Sequence, residues 1–142
     1  MNLPFVNYFF TIFNPPLEKC NQIMYNVNIM IEKIFNAVFT DEAIQQYREL
    51  SLENKEKIMA AIQTFELIGT KYKNINQLDF NLFEIKPRGV RAYFRYDTEN
   101  RRVIIIGFIT LKKTQEAPKR YMKQAVRNIE DYIKARKERN NE

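Results

Sequence analysis

Basic and aromatic side chains alternate along residues 90–96 of this 142-residue chain. Strand alternation places Arg91, Tyr93 and Arg95 on one face and the apolar residues between them on the other. Cations with an aromatic ring between them can bind phosphates and stack bases. The pattern therefore predicts a nucleic-acid site, although a solvated strand face with a filler tyrosine explains the same residues.

A second basic stretch, residues 112–115, follows the next predicted strand. If the two strands pair through a turn at 97–100, Lys112 and Lys113 come close to the point where Arg91 emerges. Cations that converge in this way repel one another unless an anion binds between them. The alternative is a lysine pair that only solubilises a loop, which is a common feature of protein surfaces.

The composition excludes several kinds of catalytic centre. The chain has no histidine and one cysteine, so Ser-His-Asp, Cys-His and Cys/His zinc sites cannot form. The single Cys20 excludes an intrachain disulfide and suits a reducing cytoplasm. Neither a metal nor an organic cofactor is indicated. The formal charge of +6 permits nucleic acid, an anionic membrane or an acidic protein as partner and does not choose among them.

Helix and strand signals indicate a compact α/β unit from Ile31 onward. Thr40 and Ser51 are good N-caps for two successive helices, and Gly69 is suited to end the second. Pro118 suits the first turn of a final helix with apolar residues at helical spacing. The predicted elements are a strand at 34–39, helices at 41–50 and 52–68, a polar connector at 70–79, strands at 82–86, 90–96 and 102–110, a turn or bulge at 87–89, and the last helix. The last helix is expected to pack on the sheet through Met122, Val126, Ile129 and Ile133.

The N-terminal residues differ from the rest of the chain. The apolar run at 5–13 is too short to span a bilayer as a helix, and it lacks the flanks of a signal peptide. We therefore expect residues 1–29 to be an appendage, translated from upstream of a true start at Met24 or Met30. The alternative is a real strand or helix that packs on the domain. One domain is expected over 30–135, followed by a charged, frayed tail at 136–142.

The order of the motifs resembles the RelE/ParE toxin superfamily, and most closely its phage-derived HigB-like branch. The matching string is a strand arginine at Arg91, a strand that ends in Gly107 and Phe108, then two lysines and a threonine, then Pro118 and a helix. The resemblance covers residues 33–132. It implies an α+β, RelE-like fold in which two N-terminal helices and a C-terminal helix pack on a small antiparallel sheet.

The resemblance implies the toxin of a type II toxin–antitoxin system, located in the cytoplasm. Such a toxin is expected to act as an mRNA interferase that cuts ribosome-bound mRNA through attack by a 2′-OH group. A cognate antitoxin with a helix-turn-helix domain is the expected protein partner, and no membrane is expected. Two alternatives stay open: a ParE-like toxin that binds DNA gyrase and cuts nothing, and an inactive phage or transposon remnant that only binds an antitoxin.

The resemblance also distributes roles among the basic and aromatic residues. Arg91 matches the strand arginine, Lys112 or Lys113 matches the basic residue after the last strand, and Tyr121 matches a helix tyrosine loosely. Arg91 is expected on an outward strand face, where its replacement costs little stability. The candidate catalytic residues are Arg91, Lys112, Lys113, Tyr93 and Tyr121, and the candidate RNA-binding residues are Lys86, Arg88, Arg95, Thr114 and Gln115.

The strand that precedes Arg91 departs from the pattern of some relatives. Where those relatives carry lysines, this chain has Leu82 and Glu84. Glu84 can act as a general base if its surroundings raise its pKa. A structural ion pair with a nearby arginine is the interpretation that we favour.

Deleting residues 1–29 is expected to leave folding and toxicity nearly unchanged, because the family-like domain begins after them. Solubility, melting temperature and growth arrest on expression measure the effect. A truncated protein that is insoluble or melts far lower would show that the segment belongs to the core, and the upstream-start hypothesis would be wrong.

Overall fold

The computed structural model describes residues 32–141, so the predictions for residues 1–29 lie outside it. Five strands and three helices follow one another along the described chain. In chain order they are β1 (Asn36–Phe39), α1 (Asp41–Arg48), α2 (Leu52–Ile68), a 3₁₀ turn (Gly69–Lys71), β2 (Ile75–Gln77), β3 (Phe83–Ile85), β4 (Val90–Tyr96), β5 (Val103–Leu111) and α3 (Lys119–Asn140).

The five strands form one sheet in the order β1-β5-β4-β3-β2. The last four strands pair antiparallel with their neighbours, whereas β1 pairs parallel with β5. Short turns join the antiparallel strands, but β1 reaches β5 only through the rest of the domain, so no hairpin fixes its direction. The predicted α+β fold is confirmed, with β1 as the exception to the antiparallel sheet.

Local signals placed most element ends correctly. The hydroxyl of Thr40 accepts a hydrogen bond from the backbone N–H of Ala43, and the hydroxyl of Ser51 accepts one from Asn54. Gly69 ends α2 at φ +60°, a conformation that a side chain disfavours. Edge strand β2 lies within the predicted polar connector, because a strand of three residues, two of them polar, shows no strand pattern in the sequence.

Both faces of the sheet are covered. Helices α1 and α2 cover one face, where Ile62 and Phe65 pack against Phe94 of β4. Helix α3 covers the other face, where the predicted apolar residues of this helix lie against Tyr93 and Ile105. Strand β4 is consequently buried on both sides, and this arrangement decides the environment of every side chain on it.

Helix α3 approaches the sheet most closely at Gly107. Phe94 pairs with Ile106 and Tyr93 pairs with Phe108, so Gly107 is the extra residue of a β-bulge. A Cβ atom added there would lie 2.7 Å from the carbonyl oxygen of Ala125 and 2.6 Å from Ile129 Cγ1. The glycine of the predicted Gly-Phe motif is therefore required for packing of α3 on β5.

Helix α3 continues to Asn140, through the segment that was predicted to be a frayed tail. Arg136 donates to both carboxylate oxygens of Asp97, at 2.5 and 3.0 Å, and Asp97 is only 3% exposed. Asp97 follows β4 directly, so the ion pair ties the end of α3 to the β4–β5 turn. A carboxylate buried in this way needs a cation, and that need is not visible in the local sequence.

We expect the Asp97–Arg136 pair to make stability depend on acid pH. The hydrogen bonds from Arg136 lower the pKa of Asp97 below its ordinary value. Because the folded-state pKa is the lower one, the pair stabilises the protein above about pH 4, and this contribution is lost as pH falls through the folded-state pKa.

Asp97→Asn should therefore lower the free energy of unfolding by about 1–3 kcal/mol at pH 7. The difference from the native protein should shrink towards pH 3, as measured by urea denaturation at both pH values. Glu99→Gln is the matched control, because Glu99 contacts the same arginine at 3.2 Å from a half-exposed position. An Asp97→Asn deficit of equal size at both pH values would contradict the assignment.

Candidate functional site

Arg91 does not lie on an outward face, and that prediction was wrong. Its side chain is 1% exposed, because α3 and residues 112–118 cover the face that it shares with Tyr93. The predicted division of β4 into two faces is confirmed, since the alternate residues Val90, Ala92 and Phe94 lie in the core on the other side. Strand alternation fixes which residues share a face, but it does not say what packs over that face.

The guanidinium of Arg91 forms an ion pair with Glu84. Glu84 is opposite Tyr93 in the β3–β4 register, so Arg91 is its diagonal neighbour, within reach of a long side chain. Arg91 Nε lies 2.7 Å from Glu84 Oε2, and the carboxylate is only 3% exposed. The favoured interpretation of Glu84 as a structural ion-pair partner is confirmed.

The remaining nitrogens of Arg91 bind the loop between β5 and α3. Nη2 donates to the carbonyl oxygens of Thr114 and Gln115 at 3.3 and 3.2 Å, and Nη1 donates to that of Glu116 at 3.4 Å. Nη1 also donates to the hydroxyl of Tyr93 at 3.4 Å. The loop is thus folded around a buried cation.

Tyr93 is enclosed together with Arg91. Its side chain has no exposed surface, and this burial raises the pKa of its phenol, so the hydroxyl keeps its proton at neutral pH. The Tyr93 ring packs at 5.9 Å from Phe108, which in turn stacks on Tyr121 at 5.0 Å between centroids. Tyr93 therefore supports the aromatic wall behind Tyr121 and does not itself reach the surface.

A cleft of 200 Å³ opens beside the covered arginine, and we call it the basic cleft. It brings together four of the predicted residues: Arg91, Lys113, Thr114 and Tyr121. The remaining lining residues are Thr110, Leu111, Pro118 and Arg120. Lys112 is not among them, so the structure separates the two lysines that the sequence left as alternatives.

Arg120 is the residue of the basic cleft that sequence reasoning missed. Its guanidinium lies 4.7 Å from the centroid of the Tyr121 ring and donates to the Tyr121 hydroxyl at 3.1 Å. A cation over an aromatic face is a favourable arrangement. The sequence feature that could have identified Arg120 is its position directly before the candidate residue Tyr121, in the first turn of the predicted last helix.

A second, larger cleft of 620 Å³ is lined in part by Gln115 and Glu116 of the same loop, and we call it the mixed cleft. Two predicted RNA-binding residues, Lys86 and Gln115, line it. The charged residues Glu84 and Lys119 line it as well, together with the apolar residues Leu78 and Met122. The predicted residues are thus divided between two clefts.

Four predicted residues line neither cleft: the enclosed Tyr93, and Arg88, Lys112 and Arg95. Arg88 is exposed in the turn between β3 and β4, and the backbone N–H of Lys112 donates to the Gly89 carbonyl there. Arg95 donates to the Phe80 carbonyl and pairs with Glu130 at 3.6 Å. Arg95 is therefore engaged within the fold.

Residues 32–141 contain no group of three or more acidic or cysteine side chains arranged to hold a metal ion. Over the same residues, no helix combines the length and the apolar character needed to cross a membrane.

Comparison with known proteins identifies the fold. No protein-family model matches the sequence, and no curated protein matches it. A double arginine-to-alanine variant of the E. coli toxin RelE in the free state superposes with a TM-score of 0.52 at 17% identity, covering 68% of this chain and 98% of that one. The isolated E. coli RelE toxin gives 0.46 at 18% identity, covering 67% of this chain and 98% of that one. A RelBE toxin–antitoxin complex from Mycobacterium tuberculosis gives 0.41 at 17%, covering 56% and 93%. The superposition on the free-state variant shows that the chain has a fold similar to that of RelE.

Because Arg91 is buried, its replacement is now expected to cost much stability, whereas an outward position predicted a small cost. Arg91→Ala should lower the free energy of unfolding by about 3–5 kcal/mol, because it leaves the Glu84 carboxylate buried without its partner. Replacing both members, as Glu84→Gln with Arg91→Gln, should cost less than Arg91→Ala. Urea denaturation at pH 7 measures both.

Arg88→Ala is the matched control for Arg91→Ala. Arg88 is exposed, so its removal should change stability by no more than about 0.5 kcal/mol. An Arg91→Ala protein as stable as the Arg88→Ala protein would contradict a structural role for the buried pair.

Proposed function

We propose that this protein is a toxin of the RelE/ParE superfamily, of the HigB-like branch, from a type II toxin–antitoxin system. We propose further that it is an mRNA interferase that cuts mRNA on the ribosome. The observation that carries this proposal is the basic cleft, where Lys113, Arg120 and Tyr121 meet in a RelE-like fold. The order of motifs from Arg91 to Pro118 supports the same assignment.

RNA cleavage by the 2′-OH group makes three chemical demands. The hydroxyl must lose its proton, the phosphorane must be stabilised, and the leaving 5′-oxygen must gain a proton. Lys113 and Arg120 are suited to the second demand, because neither forms an ion pair within residues 32–141 and both line the basic cleft. Stabilisation of developing charge is often the largest contribution to catalysis.

Tyr121 is suited to the third demand and also to holding a base. It is half-buried, its ring is stacked on Phe108, and its hydroxyl accepts a hydrogen bond from Arg120. An aromatic ring held in this way can stack a base, and its hydroxyl can pass a proton to the leaving oxygen. Tyr93 is less suited to proton transfer, because it is enclosed and burial raises its pKa.

A second candidate function is a toxin-like protein that cuts nothing. The specific observation in its favour is that Glu84 neutralises Arg91, the strand arginine that the resemblance places in the active site. On this proposal the protein binds DNA gyrase as ParE-like toxins do, or it is a remnant that only binds an antitoxin. The exposed cations of the basic cleft favour RNA cleavage over both.

The proposed partners follow from the toxin assignment. A helix-turn-helix antitoxin is proposed as the protein partner and ribosome-bound mRNA as the substrate, both in the cytoplasm. A net charge of +6 suits an antitoxin segment that presents acidic groups, because complementary charge directs association. No cofactor is proposed, since the chemistry above needs only protein side chains.

Purified protein added to a translation reaction should produce defined cuts in ribosome-bound mRNA. Lys113→Ala and Arg120→Ala should each reduce the cleavage rate by about 100-fold, the loss typical for one charge-stabilising donor. Lys112→Ala is the neighbouring comparison and should reduce the rate less. Arg101→Ala should leave it unchanged, because Arg101 is exposed at the opposite end of β4 and β5.

Other outcomes point to the alternatives. Intact mRNA together with inhibition of DNA supercoiling would identify the gyrase-binding alternative. Neither effect, in a protein that still binds the product of a neighbouring gene, would identify the remnant.

A further inference from the structure

The loop at 112–118 carries one side of the basic cleft, and its shape depends on a residue beneath it. We infer that Arg91 is a positioning residue, which holds this loop in the conformation that aims Lys113 and Arg120 at a phosphate group. The inference rests on the proposed function for its catalytic consequence. Its structural half, which is that Arg91 organises the loop, depends only on the contacts between Arg91 and the loop.

Three consecutive carbonyl groups converge on the Arg91 guanidinium. Those of Thr114, Gln115 and Glu116 all accept hydrogen bonds from its two terminal nitrogens. Carbonyl oxygens that face one point repel each other, and a planar cation with several donors removes that repulsion. Without the guanidinium the loop loses the interaction that turns these three groups inward.

The guanidinium of Arg91 is enclosed by protein groups. Of the five N–H groups of a guanidinium, four donate to the three carbonyls and to the Tyr93 hydroxyl, and Nε lies against Glu84. The side chain is 1% exposed. A phosphate could reach Arg91 only by displacing the loop, so Arg91 acts through the residues that the loop carries.

Glu84 keeps the buried cation in place. Its Oε2 atom lies against Arg91 Nε, while its Oε1 atom accepts from the amide of Asn76 at 3.2 Å and lies 3.5 Å from Lys86 Nζ. These contacts offset the cost of burying two charges and fix the carboxylate relative to β2 and β3. A line of contacts therefore runs from edge strand β2 through Glu84 and Arg91 to the basic cleft.

The same cation also supports the aromatic side of the basic cleft. Arg91 donates to the hydroxyl of Tyr93, whose ring packs against Phe108, and Phe108 stacks on Tyr121. Removal of the guanidinium should therefore disturb both walls of the cleft together. Removal of an isolated cation on the surface would disturb neither wall.

The first test uses Arg91→Lys in the full chain, with no RNA present. A lysine keeps the charge that Glu84 needs, but its single ammonium cannot reach three carbonyls in the guanidinium geometry. Backbone ¹⁵N relaxation should give order parameters near 0.8 for residues 113–117 in the native protein and below about 0.6 in the variant. Helix α2 should be unchanged and serves as the internal control. Equal order parameters for residues 113–117 in both proteins would overturn the structural half.

The second test measures cleavage by the same two proteins, normalised to the folded fraction. A positioning role predicts that Arg91→Lys lowers kcat by about 100-fold, as misplacement of catalytic groups does, with KM within about 3-fold of the native value. Direct contact of Arg91 with RNA would instead raise KM, and a purely structural role would leave both constants unchanged per folded molecule. Either result would overturn the catalytic half.

The two tests separate this inference from the proposed function. If the native protein cuts no mRNA, the proposed function fails, while the order parameters still decide whether Arg91 organises the loop. If the native protein cuts and Arg91→Lys cuts equally well, the proposed function stands and the positioning role is wrong.

Discussion

The buried ion pair between Arg91 and Glu84 is the constraint on which the rest of the site depends. Two charges without solvent are stable only when each is fully surrounded by partners, so their burial dictates where nearby polar groups must point. The carbonyls of residues 114–116 turn inward to meet the cation, and Asn76 turns towards the carboxylate. The conformation of the loop and the separation of the two clefts both follow from that requirement.

Close packing of α3 makes this burial possible. The helix approaches the sheet to the point where Gly107 has no room for a Cβ atom, and the Gly107 carbonyl accepts a hydrogen bond from Asn128 at 2.9 Å. The bulge at Gly107 changes the alternation of β5, so that Phe108 joins the α3 side with Tyr93. Gly107 thus determines both how closely α3 approaches the sheet and which face of the sheet Phe108 occupies.

The sequence predicted the parts of the fold that depend on local interactions. N-caps at Thr40 and Ser51 and the positive φ of Gly69 are encoded within a few residues, and their positions were correct. The burial of Arg91 was not predictable in this way, because it depends on a helix that begins 28 residues later, at Lys119. Arg120 was missed for a related reason: its relation to Lys113 exists only after the loop between them has folded.

The two kinds of arginine in this site illustrate a general limit on reading function from basic residues. A cation that lacks an anionic partner in the fold, such as Arg120, keeps a field that extends into solvent and can attract a phosphate. A cation paired at 2.7 Å with a carboxylate, such as Arg91, has most of its field cancelled beyond its immediate surroundings. The net charge of +6 counts both equally. Ion pairs and burial therefore identify which basic residues are available to an anionic ligand, and a basic motif alone marks only where to look for them.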